Sequence, residues 1–159
     1  MLDENPLITT VIPTYRRPNL LQRAIKSALA QHGVSSQVCV YDNASGDTTG
    51  EIVQAMARDD PRVKYFCHPE NIGGFSNFQH ALARVDTPLF SLLSDDDVLL
   101  PGFYSKAIAD LNHNPSAKLW AGVTIRMSEA GQVYDAHVEQ WPREGLYSGM
   151  DGLTHMASG

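Results

Sequence analysis

The sequence is poor in cysteine and has no long apolar segment. Cys39 and Cys67 are its only cysteines in 159 residues, and both lie in strand-like runs, where a free thiol usually behaves as a small buried hydrophobe. Two such thiols exclude a disulfide-stapled secreted domain and suit a reducing compartment. Every apolar run is far shorter than the ~20 residues that a membrane-spanning helix needs. We therefore predict a cytoplasmic protein with no transmembrane segment in this chain. Any contact with the inner face of a membrane is expected to involve other parts of the protein.

A basic surface is also lacking. The chain has 12 basic and 18 acidic residues, for a formal net charge of −6, and no basic stripe follows any predicted element. This balance argues against nucleic acid as a partner. It does not exclude a phosphate-bearing ligand, because a divalent metal ion can neutralise phosphates on an acidic protein.

What the sequence does contain is an alternation of strand-like and helix-like segments, which predicts an α/β fold with a mostly parallel, Rossmann-like sheet flanked by helices. The predicted strands are residues 7–12, 37–41, 63–67, 88–93, 119–127 and 133–138, and a turn at 129–132 makes the last two a hairpin-like C-terminal extension. The first predicted helix runs from Pro18 towards Gly33, the third covers 75–84, and the fourth begins after Pro101. The second begins at a cap formed by Asp47 or Thr48, with Thr48 and Glu51 as a capping box.

Polar segments follow three of these strands directly. Residues 13–15 follow the first strand, 42–45 the second and 94–97 the fourth. In open α/β sheets, ligands bind outside the carboxyl ends of the strands. We therefore expect the three segments to converge on one crevice.

The segment with the most chemistry is the run Ser94-Asp95-Asp96-Asp97. Three successive carboxylates repel one another, and after a buried strand they call for a hard cation or a cationic partner. The alternative is a solvated acidic loop in which Asp97 or a neighbour caps the next helix. The first interpretation predicts a metal site.

Four motifs carry a family resemblance. They are Val11-Ile12-Pro13-Thr14-Tyr15-Arg16-Arg17, Asp42-Asn43-Ala44-Ser45-Gly46-Asp47, Asn71-Ile72-Gly73-Gly74, and Ser94-Asp95-Asp96-Asp97 followed by Leu100-Pro101. In this order they resemble glycosyltransferase family 2, whose donor-binding part has the GT-A type fold. The resemblance implies a metal-dependent enzyme that moves a sugar, with inversion, from a nucleoside diphosphate sugar to a glycan, lipid or protein acceptor.

The resemblance assigns the metal to the acidic run. The metal-binding aspartate of the family stands five residues before a proline that begins the next helix, which here indicates Asp96 before Pro101. Asp95 is placed near the ribose and as a second metal ligand. The implied cofactor is Mg²⁺ or Mn²⁺, bridging the oxygens of the leaving diphosphate. Many relatives have an aspartate where this chain has Ser94, and Asp97 is either a supporting group or a helix cap.

The resemblance also implies a nucleobase pocket. Pro13, Thr14 and Tyr15 match residues that line the base, with the tyrosine as a stacking face, and Asp42 matches an acceptor for a uracil or thymine N–H. A UDP- or dTDP-type donor is therefore expected. The alternatives are that Tyr15 is a half-buried loop aromatic and that Asp42 forms an Asx turn.

The remaining candidates surround the phosphates and the sugar. Arg17 either reaches the diphosphate or is simply solvated. Asn71 and Gly73 match a family loop beside the sugar nucleotide, where glycine permits a close backbone approach. Asn77 either faces the donor or begins a helix.

The domain organisation predicted from the sequence is a single domain over 1–159. Residues 1–112 form a donor-binding half, and residues 113–159 begin an acceptor half that we expect to be incomplete, with the chain as the front part of a longer protein. The catalytic base of the family corresponds to a position past Gly159, so we assign none. The late carboxylates lie in no family motif; they are Asp135, Glu139, Glu144 and Asp151. A nucleotide-sugar-binding module without turnover therefore stays open as the alternative function.

Overall fold

The computed structural model describes residues 6–128, 130–136 and 145–148. The chain divides into two compact units, residues 1–105 and 106–159. The boundary falls inside a helix, earlier than the division after residue 112 that the sequence suggested. The assignment of the two parts to donor and acceptor stays a prediction.

The first unit is a parallel sheet with helices between its strands, as predicted. Its elements are β1 (Ile8–Thr14), α1 (Pro18–Leu29), β2 (Ser36–Asp42), α2 (Thr49–Asp59), β3 (Val63–Cys67), α3 (Gly74–Leu82), β4 (Leu89–Leu92) and the start of α4 (Phe103–His113). The strands lie in the order β3-β2-β1-β4, and all three pairings are parallel. The order places β1 in the interior of the sheet, where its β-branched run is buried on both faces.

Both faces of the sheet carry a hydrophobic core. On one face, α1 and α2 contribute Leu21, Ile25 and Val53, all fully buried against alternate residues of the strands. On the other face, Ala81 of α3 packs on a smaller cluster with Val11, Cys39 and Tyr41. Each large aliphatic side chain buried in this way stabilises the fold by roughly 1.5–3 kcal/mol. The two cores therefore stabilise the sheet whose carboxyl ends carry the polar segments.

The start of α2 differs in detail from the prediction. The Asp47 Oδ1 accepts a hydrogen bond from the Thr49 N–H at 2.9 Å, so Asp47 supplies the capping oxygen. The capping box of Thr48 with Glu51 is wrong, because the Thr48 side chain makes no cap hydrogen bond. The Thr48 backbone is already helical (φ −73°, ψ −1°), whereas a capping side chain works from an extended backbone.

The strand register brings the polar segments to one level. Thr14 pairs with Asp42, and Asp42 pairs with Cys67, across the carboxyl ends of β1, β2 and β3. The pairing of Val11 with Leu92, carried past the end of β4, brings Asp95 level with Thr14. Cys67 is exposed in this row, which corrects the expectation that both cysteines are buried, since the edge strand β3 ends there.

The second unit contains the rest of α4 and a hairpin of β5 (Ile125–Met127) and β6 (Val133–Ala136), which are antiparallel. The predicted hairpin is confirmed, but the strand over 119–127 is shorter than predicted: residues 119–124 are irregular, and the side chains of Leu119 and Val123 are exposed rather than packed. Apolar spacing alone does not make a strand without a partner to bury it.

Several predicted features lie outside the described residues. They are Glu129 of the turn, residues 137–138 of the last strand, and the carboxylates Glu139, Glu144 and Asp151. Asp135 is described and pairs with Arg126 across the hairpin at 3.4 Å. Within the described ranges, no helix has the length and apolar character that crossing a membrane requires.

Candidate functional site

The acidic run begins where β4 leaves the sheet, and Thr14 of β1 holds its first carboxylate. Asp95 is 6% exposed, and its Oδ2 accepts a hydrogen bond of 2.7 Å from the Thr14 Oγ1. Thr14 itself is 4% exposed. A buried carboxylate needs such a donor, because its charge has lost most of its hydration. Thr14 therefore fixes the orientation of Asp95, and its match to a base-lining residue stays a prediction.

A cationic group lies between the first two carboxylates. The Arg17 Nη1 is 2.8 Å from the Asp96 Oδ2 and 3.2 Å from the Asp95 Oδ1. The side chains of Arg17 and Asp96 are about half exposed, whereas that of Asp95 is buried. The sequence predicted that something positive belongs beside this run, and among the described residues Arg17 is the one that provides it.

Asp97 stands apart from this ion pair. Partial burial and then the neighbouring charge of Asp96 raise the pKa of the Asp97 carboxyl above its ordinary value, although a hydrogen bond with Ser94 acts in the opposite direction. Helix α4 begins only at Phe103. The expectation of Asp97 as a cap for that helix is therefore wrong.

A cleft of about 360 Å³ opens beside the acidic run. Its lining consists of Pro13, Arg17, Gly74, Phe78 and residues 92–96. Helices α1 and α3 both begin at this cleft, with Arg17 and Gly73 as their N-cap residues and no side-chain cap hydrogen bond at either. Helix N-termini carry partial positive charge and uncommitted N–H groups, so the cleft suits an anionic ligand.

At the end of β2, Asp42 is committed to the protein itself. It is 2% exposed; its Oδ1 accepts from the Ser45 N–H at 3.0 Å, and its Oδ2 accepts from the Tyr65 hydroxyl at 2.6 Å. Burial and the bond to Asp42 raise the pKa of Tyr65, so its hydroxyl stays protonated and keeps donating. The structure thus gives the Asx-turn interpretation of Asp42 and does not present its carboxylate to a base.

Two strained residues face each other beside this turn. Arg16 (φ 56°) and Ala44 (φ 58°) are the non-glycine residues with positive φ in the described chain. Ser45, the neighbour of Ala44, holds Arg16: its Oγ accepts from the Arg16 N–H at 2.9 Å, and its carbonyl accepts from the Arg16 Nε at 3.1 Å. The Arg16 guanidinium then lies 5.0 Å over the Tyr15 ring, which is 39% exposed. Strain of this kind is typical of functional sites, and here Arg16 is also the residue whose guanidinium covers the Tyr15 ring.

The loop before α3 is tied to the end of β2. The Asn43 Nδ2 donates to the Asn71 Oδ1 at 3.0 Å, and the Asn43 Oδ1 accepts from the Ile72 N–H at 2.9 Å. The Gly73 N–H donates to the same Asn71 Oδ1, and the φ of Gly73 is 85°, which glycine adopts readily. Asn71 therefore shapes the turn, and the turn delivers Gly74 to the cleft.

Asn77 does not reach the cleft surface. It is 2% exposed, its Nδ2 donates to the Tyr41 carbonyl at 2.8 Å, and its Oδ1 lies 3.0 Å from the His68 Nε2. It lies in the first turn of α3, where its N–H donates to the Gly73 carbonyl at 3.0 Å. In the structure Asn77 joins the first turn of α3 to the ends of β2 and β3, and a role beside the donor stays a prediction.

Sequence reasoning missed three residues that organise the site, Ser45, Asn43 and Tyr65. The segment that begins at Asp42 contains the signal for Ser45, since an aspartate commonly accepts from a residue two or three positions on. Alternation in β3 puts Tyr65 on the same face as Val63, yet nothing local tells which carboxylate its hydroxyl meets.

Asp95 and Asp96 offer carboxylate oxygens, the ligands that hard divalent cations prefer. No group of three or more histidine, cysteine or acidic side chains is arranged to hold one in the described parts of the chain. Mg²⁺ is commonly held by one or two carboxylates together with substrate phosphates. Oxygens of Asp95 and Asp96 share one cationic nitrogen, that of Arg17, which marks a position where both can meet a positive charge. The donor set therefore fits Mg²⁺ or Mn²⁺ bound jointly with a phosphate ligand.

The fold and this site together define a GT-A type domain. Residues 9–155 match the family model described as Glycosyl transferase family 2, and the chain belongs to that family. It is 33% identical over 108 residues to the GalNAc(5)-diNAcBac-PP-undecaprenol beta-1,3-glucosyltransferase of Campylobacter jejuni, covering 67% of this chain and 35% of that protein.

Solved structures share the fold. S. aureus TarS 1-349 in complex with UDP-GlcNAc superposes with a TM-score of 0.63 at 22% identity, over 68% of this chain and 32% of that one. The mannosyltransferase PcManGT from Pyrobaculum calidifontis, in complex with GDP-Man and Mn²⁺, superposes with a TM-score of 0.59 at 22% identity, over 67% and 32% of the two chains. This chain thus spans about a third of the length of these three proteins.

Proposed function

We propose that this chain forms the donor-binding part of a metal-dependent, inverting glycosyltransferase, which moves a sugar from a nucleoside diphosphate sugar to a glycan, lipid or protein acceptor. The observation that carries the proposal is the acidic pair Asp95 and Asp96 at the edge of the cleft, with Arg17 between the two carboxylates and two helix N-termini beside them. Family membership supports it, as do the nucleotide sugars bound by the structural neighbours.

In the proposed complex, Asp96 and Asp95 hold Mg²⁺ or Mn²⁺. Such an ion stabilises the negative charge that develops on the leaving diphosphate. Thr14 keeps the Asp95 carboxylate aimed by its hydrogen bond. Arg17 and the first N–H groups of α3 bind phosphate oxygens, since guanidinium and helix N-termini both favour anions.

We propose that the nucleobase lies on Pro13 and Tyr15, at the carboxyl end of β1. Arg16 holds the Tyr15 ring from one side, and the rest of its exposed surface is available for stacking. Because Asp42 is saturated by Ser45 and Tyr65, we do not assign it to a base N–H, and a UDP- or dTDP-type donor stays a proposal based on the family alone.

In the inverting reaction, an acceptor oxygen forms a bond to the anomeric carbon while the bond to the diphosphate oxygen breaks on the opposite side. The acceptor proton passes to a carboxylate base. Among the described residues that line the cleft, the carboxylates are Asp95 and Asp96, which are already assigned to the metal. The second candidate function is a module that binds a nucleotide sugar through the same contacts without turning it over.

The test is calorimetric binding of UDP to this chain with and without Mn²⁺. We expect binding to require Mn²⁺, to disappear with a chelator, and to weaken at least about tenfold in Asp96→Asn, since a ligand carboxylate is lost. Asp60→Asn is the matched control: it removes the same charge and breaks an equally direct pair, Arg62 to Asp60 at 2.7 Å, at the opposite edge of the sheet. UDP binding that survives both chelation and Asp96→Asn would refute the metal assignment.

Turnover separates the two candidate functions. The chain is incubated with Mn²⁺ and a set of uridine, thymidine and guanosine diphosphate sugars, and release of the nucleoside diphosphate is followed. Release that depends on Asp96 supports the transferase, whereas tight Mn²⁺-dependent binding of a sugar nucleotide without release supports the binding module.

A further inference from the structure

One contact of Arg17 conflicts with a metal ion. Its Nη1 is within 3.2 Å of the Asp95 Oδ1 and 2.8 Å of the Asp96 Oδ2, so it occupies the space between the two carboxylates. An ion that bound both oxygens at ordinary coordination distances of about 2.0–2.2 Å would have to lie in the same space. Two cations cannot share it, because like charges at that separation repel strongly.

Arg17 is built to move away from this position. Its backbone is fixed as the N-cap residue of α1, and its carbonyl accepts from the Leu21 N–H. Its side chain, in contrast, is 51% exposed and lines the cleft. Rotation of the side chain alone therefore moves the guanidinium within the cleft, and Asp95 keeps its hydrogen bond from Thr14 when Arg17 departs.

We infer that Arg17 is a built-in competitor of the divalent ion, holding Asp95 and Asp96 together in the free protein and passing to the donor diphosphate when ion and donor bind. The inference rests on the metal-dependent donor site proposed above. It adds a coupling: the ion alone must displace Arg17 from two carboxylates, whereas the ion together with a diphosphate offers Arg17 a new anionic partner. Arg17 thus makes the ion and the donor bind cooperatively.

The test is titration of Mn²⁺ alone into the wild-type chain and Arg17→Gln, with free Mn²⁺ measured by electron paramagnetic resonance. Because partly exposed ion pairs are weak, we expect Arg17→Gln to bind Mn²⁺ about threefold to tenfold more tightly than the wild type. The factor by which saturating UDP improves Mn²⁺ binding should fall by a similar amount, since the coupling is reciprocal. Arg62→Gln removes the same charge from the pair at the opposite edge and should change neither value more than about twofold.

A second measurement uses the unaltered protein. Mg²⁺ added to the wild-type chain should shift the side-chain nitrogen resonance of Arg17 and leave that of Arg62 in place. If folded Arg17→Gln binds Mn²⁺ no more tightly than the wild type, the inference is overturned and the metal site still stands. The same holds if Mg²⁺ does not shift the Arg17 resonance. If UDP binding shows no dependence on Mn²⁺ in any of these proteins, the proposed function and this inference fail together.

Discussion

The hydrogen bond from Thr14 to Asp95 makes the most direct test of how the site is held. In Thr14→Val the side chain keeps its shape but loses the Oγ1 that donates to the Asp95 Oδ2 at 2.7 Å. Both residues are buried, so water does not replace the lost donor. Hydrogen bonds to charged groups contribute about 1.5–3 kcal/mol, and we expect the free energy of unfolding to fall by about that amount.

The matched control is Thr10→Val in the same strand. Thr10 is fully buried as well, but its Oγ1 lies 2.6 Å from a neutral partner, the Tyr104 hydroxyl, which also bonds to Ser91. Loss of a neutral hydrogen bond costs about 0.5–1.5 kcal/mol. Urea unfolding of the wild type and both variants measures the two losses of unfolding free energy on one scale. The slope of that free energy against urea concentration is compared among the three proteins.

The reasoning predicts a specific order of these costs. Thr14→Val must be the more destabilising variant, and its cost must shrink when Asp95 is already changed to Asn, because the partner is then neutral. Equal costs for Thr14→Val and Thr10→Val, or a Thr14→Val cost independent of Asp95, would refute the charge-assisted bond. Thr14→Val should also weaken Mn²⁺-dependent UDP binding, since Asp95 loses its orientation.

Two further predictions concern other parts of the first unit. Tyr65→Phe removes the donor to the buried Asp42 and should lower the free energy of unfolding by about 1.5–3 kcal/mol. Tyr65→Phe should also make Gly50→Ala less destabilising, because a Cβ at Gly50 would lie 2.9 Å from the Tyr65 hydroxyl. Urea unfolding of the wild type, the two single variants and the double variant checks this. An equal loss of unfolding free energy from Gly50→Ala in both backgrounds contradicts it. For Asp60, the hydrogen bond from Arg62 holds the pKa of the carboxyl below its ordinary 3.8, so its stabilising effect is present above that pH and is lost as the pH falls through the lower folded-state pKa. Asp60→Asn should therefore lower the unfolding free energy by up to about 1 kcal/mol at pH 7 and by less at pH 2, whereas an equal loss at both pH values would argue against the pair.

The sheet could be predicted from the sequence because its strands are short, largely apolar runs separated by helical periodicity. Val63–Cys67 was predicted to the residue, and the ends of β1 and β2 were correct within two residues. Residues 119–124 show where this logic fails. Their apolar spacing resembles a strand, but no neighbouring strand pairs with them in the described structure, and pairing is not encoded locally.

The candidate site was predictable in position but not in internal contacts. The family motifs place Asp95 and Asp96 correctly at the end of β4, yet the role of Asp42 depends on Tyr65, which is distant in sequence and belongs to another strand. Asn77 shows the same limit, since its burial depends on Tyr41 of β2 and on His68. Sequence patterns predict which face a residue occupies, whereas such partners follow only from the strand register.

That register is where the hydrophobic core and the proposed chemistry meet. Leu93 packs in the core beneath α1 and α2, and its N–H donates to the Val11 carbonyl, so β4 is fixed against β1. Because side chains alternate along a strand, a slip of one residue would turn Leu93 out of the core and carry Asp95 to the other face, away from Thr14. The burial of Leu93, directly after β4, therefore helps to decide which carboxylate is buried and oriented and which is left exposed for a cation. A core substitution such as Leu93→Ala is expected to disturb the acidic pair even though it touches no carboxylate.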